Sequence, residues 1–217
     1  MQTLVEHVFT LAPPGGLFDD SVVRNLFPDL SQGARKLRVH RALEHGEAMR
    51  LKPGLYCLAS KYRKSPLHPF VVAAALHSPS HISLESALSH HDLIPEAVFR
   101  VSSVTISRSR SFQTPVGTFD FVRVPSKQPR AGVEAEKLGA LEWAFIASPL
   151  RAIGDLVYLR KEISWEHDGM GFLTDSMRIE EEELRALANN SWDEILDSFR
   201  SRRTERYLGG LRKELGH

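Results

Sequence analysis

Cysteine is nearly absent from this sequence. Cys57 stands alone among 217 residues, which rules out an intrachain disulfide and any zinc site built from several cysteines. Long apolar runs are missing too, since no stretch approaches the roughly twenty residues of a membrane-spanning helix. The first residues lack the basic flank and long apolar segment of a secretory leader. A soluble cytoplasmic protein with no membrane contact is therefore expected. Excess charge of one sign is also lacking, with 28 Lys and Arg against 27 Asp and Glu. Several enzyme signatures are absent: GxSxG, HExxH, GxxxxGK[ST] and GxGxxG do not occur. Restriction-type nucleases use an acidic-x-Lys triplet, but the residues two before each lysine are Ala34, Arg50, Ala59, Tyr62, Pro125, Ala135, Leu159 and Leu211. None is acidic, and the sequence shows no internal repeat and no low-complexity segment.

What is present is an ordinary globular composition, 42% hydrophobic and 25% charged. The charges are unevenly placed. Between Ser31 and Lys64 nine basic residues face two acidic ones, Glu44 and Glu47. Such a local excess in a near-neutral chain marks an electrostatic footprint in the first third.

That third has a readable rhythm. Apolar residues from Gln2 to Leu11 have helical spacing, which Pro13-Pro14-Gly15-Gly16 stops. After the brief apolar step Leu17-Phe18, one of Asp19, Asp20 or Ser21 caps a short helix ending near Phe27. Ser31 caps a third helix, about Gln32 to His45, with Gly46 at its left-handed end. Two extended pieces, Ala48 to Leu51 and Leu55 to Ala59, flank a Pro53-Gly54 turn. Helices followed by a tight hairpin are the order of a winged helix-turn-helix. At about 100° per residue, Ala34, Leu37, Val39, His40 and Leu43 share one broad side of the third helix. Ser31, Arg35, Arg38 and Arg41 fall on the remaining arc. Arginine suits bidentate contact with guanine and phosphate clamping. The expected DNA contacts are Ser31, Gln32, Arg35, Lys36, Arg38 and Arg41 on this helix, with Arg50 and Lys52 at the hairpin tip. Lys61, Arg63, Lys64, Arg108 and Arg110 form a secondary basic surface.

Beyond the basic linker Lys61 to Pro66, helices are expected over Pro69 to His77, Ser83 to His90 (capped by Ser83) and Pro149 to Leu159 (capped by Ser148). Strands are expected over Ala97 to Ser107, Gly117 to Val124 and Leu141 to Ala147, with a polar, basic strand edge or connection over Arg108 to Thr114. The charged tail suggests helices over Met177 to Asn189, Ser191 to Phe199 and Thr204 to Leu215. The histidines of HISLESALSHHDLIPE do not form a metal site. Pro79 breaks the His77–His81 spacing, and the adjacent His90 and His91 diverge by about 100° on a helix. Buried Cys57 is expected to be inert, and Asp155, inside a mostly apolar helix, to be hydrogen-bonded rather than catalytic.

Four segments together resemble one family. GLYCLA (Gly54 to Ala59), HISLESALSHHDLIPE (His81 to Glu96), VSSVTISRSRSFQTPVGTFDFVRV (Val101 to Val124) and IASPLRAIGDLVYL (Ile146 to Leu159) occur in the order seen in AbiEi-type antitoxins of type IV toxin–antitoxin, or abortive infection, systems. The resemblance covers roughly residues 17 to 160. Asp92 replaces the family's glycine before L-I-P-E, Leu150 replaces a frequent acidic residue, and the part after Ser176 matches no family pattern. The resemblance implies an α/β (α+β) protein with a winged helix-turn-helix over 1–62 and an α/β antitoxin-type domain over 66–175; the charged tail read above adds a helical extension over 176–217, expected to pack on the second domain. It implies a repressor of its own operon that binds double-stranded DNA and opposes a nucleotidyltransferase-like toxin without a stable complex. No cofactor, metal or catalytic residue is expected, and the protein would act as a monomer or weak dimer. Two rival readings are a metal-dependent nuclease using Asp120, Asp155 and Asp168, and an interaction adaptor docking a partner through the C-terminal helices.

Overall fold

In the computed structural model, which describes residues 3–95, 99–187 and 192–216, helices and strands interleave in a mixed α/β architecture. Expectations touching Gln2, Glu96, Ala97, Val98, Asn189 and Ser191 lie outside the described residues. Among the described residues no helix is long and apolar enough to cross a membrane. The chain divides into two units: 1–77 with 112–118 and 137–144, and 78–111 with 119–136 and 145–217.

The first unit begins with α1 (Leu4–Leu11), where Thr3 and Glu6 form a reciprocal capping box. Strand β1 (Leu17–Asp19) leads into α2 (Asp20–Leu26), whose cap is Asp19, accepting from the Ser21 and Val22 amides. Helix α3 (Gln32–Glu44) follows, capped by the Ser31 hydroxyl, which accepts from the Ala34 amide at 3.2 Å. Gly46, at φ 62°, takes the left-handed position that ends it. The hairpin of β2 (Ala48–Lys52) and β3 (Leu55–Leu58) turns at Pro53-Gly54, with Gly54 at φ 78°. These strands and β1 form an antiparallel sheet in the order β1-β3-β2. Leu4, Val5, Val8, Phe18, Val23, Val39, Ala42 and Leu58 meet in its core. Each large apolar side chain there contributes roughly 1.5–3 kcal/mol. Helix α4 (Pro69–Leu76) completes the unit, and buried Glu142 accepts from the Ser65 hydroxyl at 2.6 Å and the Gly15 amide at 3.3 Å.

A mixed sheet runs in the order β6-β7-β5-β4-β9-β8. Its strands are β4 (Ser80–Ile82), β5 (Arg100–Thr105), β6 (Arg110–Thr114), β7 (Gly117–Arg123), β8 (Val133–Lys137) and β9 (Trp143–Ala147). Strand β4 runs antiparallel to β5 and parallel to β9, pairing Ile82 with Ile146. Helix α5 (Leu84–His90) follows β4, and α6 (Pro149–Leu159) follows β9. Ser148 caps α6 and proline occupies its first turn, as their local chemistry requires. Asp92 adopts φ 59°, so aspartate serves where a glycine would be easier. Then come α7 (Trp165–Asp168), α8 (Glu181–Arg185), α9 (Trp192–Ser198) and α10 (Arg202–Glu214). Helix α10 buries Thr204, Tyr207, Leu208 and Leu211, a single helical stripe. Arg203 donates to the Val157, Tyr158, Arg160 and Ile163 carbonyls, satisfying the end of α6.

Two expectations are corrected, and one strand had gone unread. The helix read from Met177 starts only at Glu181, because Arg178 sits at φ 56° and interrupts it. Strand β8 was not read from the sequence: Val133-Glu134-Ala135-Glu136 alternates, but the run is short, holds only two apolar residues and lies at a sheet edge. Ser83 stands at the N-terminus of α5 but does not cap it with its side chain, because its hydroxyl is drawn to Asp155.

Candidate nucleic-acid interface

Helix α3 buries Val39 and Ala42. The side chains flanking them are not those expected from angular spacing alone. Leu37, placed on the apolar side by that reading, is 47% exposed, and His40 is exposed beside Glu44 at 3.1 Å. Arg35 and Arg38 instead lie half-buried. Arg35 Nη1 donates to the Phe27 carbonyl at 3.2 Å, and the Arg38 guanidinium lies 4.5 Å from the Phe27 ring centroid. The physical reason is tertiary. Phe27 ends α2 and offers a carbonyl, which also accepts from the Leu30 amide at 3.3 Å, and an aromatic face, so the two arginine stems lie along the protein rather than away from it.

The outward surface of α3 is made by Gly33, Lys36, Leu37, His40, Arg41 and Glu44, all exposed. Between α2, α3 and the β2–β3 hairpin runs a concave surface lined by Asp20, Arg24, Gln32, Arg35, Lys36, His40 and Arg50, with Tyr56 beneath. Arg50 is exposed, its guanidinium 5.9 Å from the Tyr56 ring. Burial pushes the Tyr56 hydroxyl above its ordinary pKa, so it stays a neutral donor at physiological pH. The groove therefore gathers Gln32, Arg35, Lys36 and Arg50 from the expected contacts. It adds Arg24 and His40, which sequence reasoning missed. Arg24 reaches it only because α2 packs beside α3, and nothing local in the sequence signals that.

The other expected contacts lie outside this groove. Ser31 is exposed and spends its hydroxyl on the α3 cap. Arg38 and Arg41 line a different hollow, facing α1 with Leu4, Leu37 and His45. Lys52 turns to the C-terminus of α4, where its Nζ donates to the Leu76 carbonyl at 2.6 Å and the Ala75 carbonyl at 3.4 Å. Lys61 lies over the Tyr62 ring and Lys64 over the Phe9 ring, at 4.7 and 4.9 Å. The Arg63 stem fills the space a side chain on Gly16 would need. Arg108 and Arg110 belong to the second unit, exposed in the loop before β6 and at its first residue.

The second unit holds the other notable polar cluster. Asp155 is fully buried and accepts from Arg151 Nε through both oxygens at 3.1 Å. The Ser83 hydroxyl donates to it at 2.7 Å, and His81 Nε2 lies 3.5 Å from the same oxygen. Burial acts to raise the Asp155 carboxyl, but Arg151, His81 and Ser83 together hold it below the usual range. Serine, histidine and aspartate here do not form a relay. The serine hydroxyl donates its hydrogen bond directly to the carboxylate, so it is not activated by the imidazole. The cluster is a satisfied buried charge. Asp120 pairs with Arg100 at 3.1 Å, and Asp168 accepts from the Ser164 amide at 2.8 Å. Among the described residues no three His, Cys, Asp or Glu side chains gather as a metal ion would require. Cys57 is fully buried, and burial pushes its thiol up, away from the reactive thiolate. No known protein-family model matches the chain, and no curated protein matches it significantly.

Proposed function

We propose that the protein is a sequence-specific, double-stranded-DNA-binding transcriptional regulator that acts by binding and not by catalysis. In this reading the first unit works as a winged helix-turn-helix: α3 enters the major groove and the β2–β3 hairpin meets phosphates. The observation that carries it is the basic groove between α2, α3 and the hairpin, where Arg24, Arg35, Lys36 and Arg50 outweigh Asp20. The element order helix, strand, helix, helix, hairpin supports the same reading.

The four ordered motifs of the AbiEi-type pattern make it an autorepressing antitoxin whose counterpart is a nucleotidyltransferase-like toxin. Fluorescence anisotropy with duplex DNA from upstream of its own coding sequence tests the regulator reading. Binding should be tighter than to scrambled DNA and should weaken steeply between about 50 and 200 mM salt, as phosphate contacts release counterions. Equal affinity for both DNAs, or none for either, removes it. The antitoxin reading is tested by co-expression with the toxin-like product of an adjacent gene, where restored growth is expected. Continued growth arrest at full expression of both proteins leaves a bare regulator.

A further inference from the structure

On the DNA-binding reading, the outward strip of α3 meets the duplex; of its residues Gly33 has no packing reason, and Leu37 borders the hollow facing α1 yet stays largely exposed. Gly33 lies in the first turn of α3. A Cβ added there would meet nothing nearer than the Ser31 Oγ at 4.0 Å, and its backbone is not left-handed. Neither packing nor conformation asks for glycine, which destabilises a helix relative to alanine. One turn on, Leu37 is 47% exposed, with Lys36 and Arg41 to either side. Residues 33, 37, 40 and 44 share one helical face. The strip thus pairs an apolar knob with an empty position, inside cationic flanks. Its acidic member, Glu44, lies at the far end against His40.

We infer that this strip reads a thymine in the major groove through Leu37. The groove admits one α-helix, and the C5-methyl of thymine is the apolar mark that distinguishes T from C there. The Leu37 side chain covers that methyl group. Gly33 lets the first turn approach the base edges more closely than any side chain would allow. Lys36 and Arg41 supply the flanking charge that a polyanion requires, and Arg35 and Arg38 are positioning residues that hold α3 on α2. The occupant is therefore a duplex with an A·T pair at a fixed place in its site.

The test selects preferred duplexes from a randomised pool with the full-length protein, then replaces each thymine of the selected site by uracil, which lacks only the methyl. One replacement should weaken wild-type binding by about fourfold, the equivalent of one buried methyl group. That replacement should leave Leu37→Ala unaffected. Gly33→Gln should weaken binding at least about tenfold, while Gly33→Ala melts no lower than wild type. If no duplex is selected, the DNA-binding reading itself fails. If a duplex is selected but every uracil form binds as thymine does, and Gly33→Gln and Leu37→Ala bind as wild type, the regulator stands and this assignment is overturned.

Discussion

The Arg38 guanidinium rests 4.5 Å from the centre of the Phe27 ring, so a basic residue of α3 is held by the end of α2 rather than offered to solvent. Arg35 does the same through the Phe27 carbonyl at 3.2 Å. The basic face of α3 thus splits into side chains that join two helices and side chains that remain outward.

That split is measurable. Arg35→Ala and Arg38→Ala should each lower unfolding free energy by about 1 kcal/mol, from a lost hydrogen bond and a lost cation–π contact. Lys36→Ala and Arg41→Ala should stay within about 0.5 kcal/mol of wild type in urea titrations while weakening DNA binding. If all four variants unfold at the same urea concentration, the division is wrong.

Lys52 is expected to act on stability as well. Its ammonium meets the last carbonyls of α4, where a cation is favoured by the helix dipole. Lys52→Met should cost about 1–2 kcal/mol. The salt dependence of DNA binding should not change, and a shallower salt slope would return Lys52 to the DNA interface.

Asp155 makes stability depend on acid. Its folded pKa is lowered, so its carboxylate contribution is complete above the unfolded value of about 3.9 and fades as pH falls through the lower folded value. Unfolding free energy should therefore decline on acidification below about pH 4. Asp155→Asn strands the buried Arg151 charge and should cost about 3–5 kcal/mol at neutral pH. It should also remove this part of the acid dependence. Denaturation series at several pH values check both, and parallel acid profiles for the two proteins would contradict the assignment.

Gly154 tests the packing of α6. A Cβ there would meet the Phe199 ring at 2.6 Å and Leu208 at 3.2 Å. Gly154→Ala should destabilise by about 1–3 kcal/mol through overpacking, although alanine is the better helix former. Gly33→Ala, in open space, should do the opposite, and thermal melts of the pair give the sign of each.

Much of the local structure was legible because its causes are local. Ser31 and Ser148 cap helices whose amides begin three residues away, Gly46 and Gly54 stand where the backbone turns left-handed, and Pro149 sits where a missing amide costs nothing. Residue spacing could not show which face of α3 points outward. Leu37 and His40 fit an apolar face as well as an exposed one, and the arginines flank the core only because Phe27 lies beside them. Strand β8 alternates through Val133, Glu134, Ala135 and Glu136, but two apolar residues in so short an edge run are a weak signal.

What the sequence determined by itself was the ordered set of caps, turns and helical or alternating runs, together with a basic first third. Each follows from chemistry between residues a few positions apart. Tertiary structure alone decided the partners. Ser83 left its helix cap for Asp155, 72 residues away, and Lys52 crossed to the end of α4. Arg24 joined a groove with Arg50. A buried carboxylate and an orphan carbonyl draw donors by proximity in space, and chain spacing does not encode that proximity.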